Sequence, residues 1–440
     1  MLVEEAFLQL QEQFPDVEMK YGKTDNYLGN SGLVRVYPSS EQQISAILKY
    51  ANENGKTVSV EGNGTKRGFG GLTETADILV SLSRYKGIVE HTVGDMTVTV
   101  KSGTVFRELQ GFLAKYNQQV SLDPSWPEDA TIGGVIASND SGPKRLGYGS
   151  ARDAVIGLRV VYPDGSIIRT GGKVVKNVAG YDTNKLFIGS MGTIGIITEI
   201  TLKLRPSPKA ESLSLLSFPD ANLKEIHSFV VDLLDSMIEP ISLELLNPKL
   251  SKNLTGTEQY TLVVGFEDVK SSVDYQINKL KDLKPQNSEL NILQDEELRA
   301  FWDRLSCMIP NGKRVSSSNQ TEACVKIGVK NLDVVQVIRE SDLLQDSFNL
   351  KVSAHGGLGH GICQVNLLGA QEDVALAISR LREVVESYHG YLIAKHLSLA
   401  LRHKIDVWGD KPTYFFLFEG IKKKIDPNRV LNEKRFVGGI

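Results

Sequence analysis

The 440-residue chain has only three cysteines, Cys307, Cys324 and Cys363. They lie far apart and fit no zinc or iron–sulfur spacing. So few thiols in so long a chain point to a reducing compartment without disulfides. Charge excess is also missing. The net charge is −3, which argues against nucleic acid or an anionic membrane as the main partner. No uninterrupted apolar run reaches transmembrane length. The opening "MLVEEAFLQLQEQF" has neither the basic start nor the apolar centre of a secretory signal. These absences predict a cytoplasmic protein. Two phosphate-binding fingerprints are missing as well. A G-x-G-x-x-G pattern would need glycine at 67, where Arg67 stands, and "GPKRLGYGS" contains no G-K-[ST].

Glycine, by contrast, is plentiful between residues 62 and 195 and sparser beyond. Ordering glycine costs extra entropy, so clusters of it mark tight turns or a ligand lying against bare backbone. Three stretches stand out: "VEGNGTKRGFGG" (60–71), "TIGGVIASNDSGPKRLGYGSARD" (131–153) and "GSMGTIGIITEITLKL" (189–204). The first follows a strand-like run. Its N–H groups and the Thr65 hydroxyl are suited to an anion.

Around these loops the chain reads as mixed α+β. "SSEQQISAILKYANENG" predicts a helix capped by Ser39 or Ser40, with Ile44, Ile47, Leu48 and Ala51 on one face. "GLRVVYPDGSIIRTGG" predicts a hairpin around its P-D-G turn. Prolines in "LRPSPKA" suggest a boundary near Ser207. The expected division is an N-terminal helix (1–25), a first domain (26–207) and a second domain (208–440). From "ESLSLLSF" to "SELNILQ" the second domain follows the ferredoxin-like order β-α-β-β-α-β. No internal repeat stands out. "EDVALAISRLREVVESY" predicts a further helix, and "KKK" at 422–424 reads as a solvated helix end.

"EGNGT", "DATIGG", "GYGSARDAVIGLRVVYPDG", "KNVAGYD" and "GSMGTIGIITEITLKL", in that order, resemble the FAD-binding domain (PCMH-type) of the vanillyl-alcohol oxidase superfamily. "KNVAGYD" and the ending "DVWGDKPTYFFLFEGIKKKIDPNRVLNEKRFVGGI" resemble the FAD-binding E-type subunit of bacterial glycolate oxidases. The resemblance implies an α+β fold, with a two-subdomain FAD-binding domain followed by a ferredoxin-like FAD-linked oxidase C-terminal domain. It implies that Gly62, Asn63, Gly64 and Thr65 wrap the pyrophosphate. Asp129, Ala130, Thr131, Gly133 and Gly134 would form a second wall, and Ser138, Asn139, Ser141, Gly142 and Tyr148 would continue along the cofactor. Gly195 and Ile197 would approach it through backbone atoms. The pyrophosphate loop has no histidine, and His91 is expected to be an exposed turn residue, so FAD is expected to be non-covalent.

Flavin carries the redox chemistry, while a hydroxy-acid site also needs a base and a cation for the carboxylate. His355 is the candidate base and Lys326 the candidate carboxylate partner, with His360 and Arg304 as weaker candidates. His389, His396 and His403 read as structural or exposed. Members of the resembled family carry a segment like "HAGDGNLH" whose histidines bind a divalent metal. Here only His355 keeps its place, Leu358 and Ile362 replace ligands, and no metal is expected. The implied function is FAD-dependent oxidation of a 2-hydroxy acid, glycolate or D-lactate. The expected partners are a paralogous flavoprotein subunit and an iron–sulfur subunit. The alternative is a non-catalytic flavin-binding or electron-transfer subunit.

Overall fold

The computed structural model describes residues 2–22, 27–173, 181–220, 222–313 and 320–440. Residues 176–180 of "KNVAGYD" lie outside them. The first 207 residues build two larger sheets and one two-stranded ribbon. Strands β1 (Glu18–Tyr21), β2 (Ser31–Tyr37), β3 (Val58–Glu61) and β4 (Thr75–Ser81) form one in the order β1-β2-β4-β3. The helix Glu41–Glu53 packs its buried stripe of Ile44, Ile47, Leu48 and Ala51 into the same core. Ser40 caps this helix, accepting from the Gln43 N–H.

The second sheet contains β5 (Ile88–Thr92), β6 (Thr97–Lys101), β8 (Val155–Val161), β9 (Ile167–Gly171) and β10 (Ile196–Lys203), in the order β5-β6-β10-β8-β9. Between β6 and β8 lies the short strand β7 (Gln118–Gln119), which pairs with β11 (Arg205–Pro206). The P-D-G hairpin is present as the antiparallel pair β8–β9. Helix Ile132–Ala137 starts at Thr131, whose hydroxyl accepts from the Gly134 N–H.

Strands β12 (Ala210–Phe218), β13 (Ser242–Leu246), β14 (Tyr260–Asp268), β15 (Glu289–Leu293), β16 (Thr321–Gly328), β17 (Lys351–Gly357), β18 (Ile362–Gly369) and β19 (Tyr391–His396) form one sheet. Its order is β15-β12-β14-β13-β17-β18-β16-β19. The first four strands and the last four each follow the antiparallel ferredoxin-like order, fourth-first-third-second. The two units join edge to edge through β13 and β17. There is thus a structural repeat that the sequence pattern did not reveal. Helices Val334–Phe348 and Gln371–Ser387 cover the second unit on the face where Val325, Ala354 and Val365 are buried.

The C-terminal segment returns to the four-stranded sheet at β3. Leu431 bridges Val58 in parallel, and the Asn432 N–H donates to Val58 O at 2.9 Å. Lys422 corrects the reading of "KKK" as a solvated helix end. Its side chain is only 3% exposed, and it donates to Asp426 at 2.5 Å, Thr193 O at 2.7 Å and Leu431 O at 3.0 Å. Lys423 and Lys424 are exposed. His91 is also corrected. It lies in β5, is half-buried, bonds Gln118 at 2.8 Å and packs against Phe112 and Tyr116.

Candidate cofactor and active site

The glycine loop after β3 packs against the start of helix 132–137 with no room for a side chain at Gly62. A Cβ on Gly62 would stand 2.0 Å from Thr131 Oγ1. Gly64 has φ +79°, a left-handed conformation that L-residues adopt only with strain. Asn63 ties the loop down by donating to Asp129 O at 2.8 Å. Together these segments and the turn Met191–Ile197 enclose a chamber of about 90 Å³. Gly62, Asn63, Gly64, Thr65, Thr131, Gly133, Gly134, Gly195 and Ile197 line it.

Two residues of the C-terminal segment complete this chamber, Asn432 and Arg435. Asn432 accepts from the Val60 N–H at 3.0 Å and donates to Met191 O at 2.8 Å. Lys66, Arg67 and Arg435 also line it, against the single carboxylate of Glu61. Glu61 is paired with Arg35 at 3.1 Å. Burial pushes the Glu61 carboxyl up, and the charges of Arg35, Arg67 and Arg435 oppose this. Burial likewise brings Arg435 down to about 10. An excess of cationic side chains, of which Arg435 is buried and Lys66 and Arg67 are half-buried, over a backbone cradle fits a pyrophosphate dianion.

A second cavity of about 550 Å³ adjoins the first, sharing the walls Ser138 and Met191. Asn139, Ser141, Gly142 and Tyr148 line it. Asn139 Oδ1 is buried without a hydrogen-bond partner, so the wall offers an unused acceptor. Asp129 and Ala130 line neither space. The Asp129 carboxylate pairs with Lys313 at 2.7 Å, and Ala130 belongs to the core.

The floor of the larger cavity is the open face of the eight-stranded sheet. Cross-strand register aligns Ile393, Lys326, Gln364 and His355 on β19, β16, β18 and β17. All four line the cavity. The sheet's two-residue alternation therefore brings the two catalytic candidates to one surface, two strands apart. Burial lowers Lys326 to about 8, aided by the nearby charges of Lys395 and Arg145. Lys395 is neutralised by Asp140 at 2.8 Å, which also holds Lys66 at 3.1 Å. Burial opposes ionisation of Asp140, but the two ammonium groups outweigh it and hold the carboxyl well below its ordinary range.

Arg145 lines the cavity. Arg304 does not, being exposed and bonded to Ala300 O of its own helix. His355 Nδ1 lies 2.7 Å from the carboxylate of Glu244, and His360 Nε2 lies 3.2 Å from the other oxygen. Leu358 is a fully buried core residue. Among the described residues, no group of three His, Cys, Asp or Glu side chains is placed to hold a metal ion. His396 is buried, which lowers it to about 4, while His389 and His403 are exposed. Sequence reasoning missed Glu244, Arg145, Lys395 and Arg435. Glu244 had a signal, as the one ionisable residue in the apolar run "ISLELL".

Residues 33–171 match the FAD-binding domain family. The cofactor is FAD. Among the described residues, the chamber and the larger cavity together supply the backbone cradle, the cations and the space that such a cofactor requires. The chain is 26% identical to D-lactate dehydrogenase [cytochrome] 1, mitochondrial, of Saccharomyces cerevisiae, over 90% of this chain and 71% of that protein. It is 36% identical to glycolate oxidase subunit GlcD of Bacillus subtilis, over 52% of this chain but only 48% of that protein. The solved structure of p-cresol methylhydroxylase with substrate bound superposes with a TM-score of 0.74 at 14% identity, covering 98% of this chain and 96% of that one. The chain therefore shares the fold of that protein. No helix among the described residues is long and apolar enough to cross a membrane.

Proposed function

We propose that the chain is an FAD-dependent oxidoreductase acting on a 2-hydroxy acid of the glycolate or D-lactate class, as the E-type subunit of a glycolate-oxidase-like complex. One observation carries the reading. The chamber with the pyrophosphate chemistry shares the wall residues Ser138 and Met191 with the cavity that the row Lys326–Gln364–His355 lines. When bound, FAD supplies the two-electron acceptor. Lys326 holds the substrate carboxylate, and Arg145 adds to the field that draws it in. His355 takes the hydroxyl proton at Nε2 as the α-hydrogen leaves as hydride, giving the 2-oxo acid. The names D-lactate dehydrogenase and glycolate oxidase subunit among the relatives support this substrate class.

Residues 26–207 serve as the cofactor domain and 208–440 as the substrate-facing cap. Fourteen of the sixteen glycine-loop and wall residues, from Gly62 to Ile197, serve as the non-covalent FAD contacts, while Asp129 and Ala130 support the wall from behind. Electrons leave through an iron–sulfur partner, since three separated cysteines cannot hold a cluster in this chain. A paralogous flavoprotein completes the assembly, in the cytoplasm. The buried Leu358 and the replacement Ile362 favour a second reading, a flavin-binding subunit whose partner performs the oxidation.

Anaerobic titration with a panel of 2-hydroxy acids separates the readings. Bleaching of the flavin spectrum in the isolated chain supports the enzyme. Bleaching that requires an added flavoprotein partner supports the second reading. No bleaching in either setting rejects both.

A further inference from the structure

We propose that Glu244 is the positioning residue of this site, setting His355 through a carboxylate that it shares with His360. The proposal deepens the reading above and rests on it for the role of His355.

Glu244 sits on β13, in register with Gly357 of β17, and is only 1% exposed. A carboxylate buried this deeply requires compensation. It has two partners. Oε2 accepts from His355 Nδ1 at 2.7 Å, and Oε1 lies 3.2 Å from His360 Nε2 at an angle short of a well-aligned hydrogen bond. Burial raises the Glu244 carboxyl, but the two imidazoles outweigh it and keep the group below its ordinary value.

Two other titratable groups face it. Cys363 on β18 is pushed well up by burial and by Glu244, so it stays a thiol. Asp123, before helix 132–137, is pushed up to about 6, mainly by burial. The N–H groups of Lys144 and Gly142 and the Lys144 charge act against that rise.

The hydrogen bonds dictate both tautomers. The Ile362 N–H donates to His360 Nδ1 at 3.2 Å, so that nitrogen carries the lone pair and Nε2–H faces Glu244. His355 in turn presents Nδ1–H to the carboxylate and keeps its lone pair on Nε2. The ring lines the larger cavity, and Nε2 is its remaining nitrogen. A proton taken there creates an imidazolium beside a carboxylate already in place.

The backbone makes room for this arrangement. A Cβ on Gly357 would stand 2.0 Å from Cε1 and 2.1 Å from Nε2 of His360. Gly357 has no positive φ. Space for the imidazole, not conformational freedom, is what glycine provides opposite Glu244.

The test uses the FAD-loaded full chain with Glu244→Gln, Glu244→Asp and Gly357→Ala. Imidazole ¹⁵N shifts report the His355 tautomer independently of turnover, and stopped-flow reduction by a bleaching hydroxy acid reports the chemistry. Glutamine can donate as well as accept, so Glu244→Gln is expected to lose the single Nδ1–H tautomer. Reduction should slow by roughly 100-fold, with FAD content kept. Glu244→Asp should retain the tautomer and recover part of the rate. Gly357→Ala should displace the His360 ring and slow reduction by about 10-fold, leaving His355 as Nδ1–H.

An unchanged His355 tautomer in Glu244→Gln overturns the proposal. So does loss of FAD and melting temperature with the tautomer intact, which would assign Glu244 to packing. If no hydroxy acid reduces the wild-type flavin, the base assignment fails, while the ¹⁵N measurement still decides what Glu244 does.

Discussion

Lys422→Met tests whether the C-terminal segment is clamped onto the cofactor chamber. Methionine preserves the apolar stem and removes the ammonium. Three buried acceptors then lose their donor: Asp426 Oδ2, Thr193 O and Leu431 O. Asp426 is fully buried and keeps only the N–H groups of Val430 and Leu431, both at 2.9 Å. Removing one member of a buried ion pair costs about 3–5 kcal/mol, because the remaining charge is stranded. That is roughly two to four decades in an equilibrium constant. The loss falls on the docking of residues 426–436, since Lys422 joins three segments there. Hydrogen exchange should show their amides losing protection by about that factor, and the FAD dissociation constant should rise in step because Asn432 and Arg435 go with the segment. Adding Asp426→Asn removes the stranded charge while keeping an acceptor, and should restore part of the protection. Wild-type exchange rates and FAD affinity in Lys422→Met would refute the clamp.

Two further outcomes follow from the same geometry. Gly64→Val should abolish flavin retention, because φ +79° is strained for a branched residue and its Cβ would already stand 3.2 Å from Glu61 Oε2; a fully yellow variant would show that the loop is only a turn. Lys326, lowered to about 8 by burial and by Lys395 and Arg145, is charged below that pH and neutral above it. The KM for a 2-hydroxy acid should therefore be flat below pH 8 and climb above it, and Lys326→Met should erase the step; a profile flat up to pH 10 would contradict the assignment.

Local signals were legible wherever period and turn chemistry decide structure. The Ile44–Ala51 stripe, the P-D-G hairpin and the first ferredoxin-like unit all read directly. The second unit did not, because its central hairpin passes through "HGGLGHGICQ", where glycine hides the two-residue alternation. Tertiary placement was the other blind spot. Nothing local distinguishes Arg145, which lines the cavity, from Arg304, which lies on an exposed helix. Nor does a run of three lysines announce that its first member is buried while the other two are solvated. Glu244 was readable as a lone charge in an apolar strand, but its partners His355 and His360 lie more than a hundred residues away.

The wall formed by Asn432 and Arg435 also sets an order in time. During synthesis the Gly62–Thr65 loop is made first, and the strands around it can pair while most of the chain is still to come. The last side of the chamber emerges some 370 residues after the first. Until then the cradle has a missing wall, with the Val60 N–H and Met191 O lacking the Asn432 amide that joins them. On the FAD placement proposed above, a stable yellow colour is expected only after residue 435 has been made and has docked. Chains stalled or clipped before residue 432 are then expected to be colourless, which absorbance reads before any measurement of turnover.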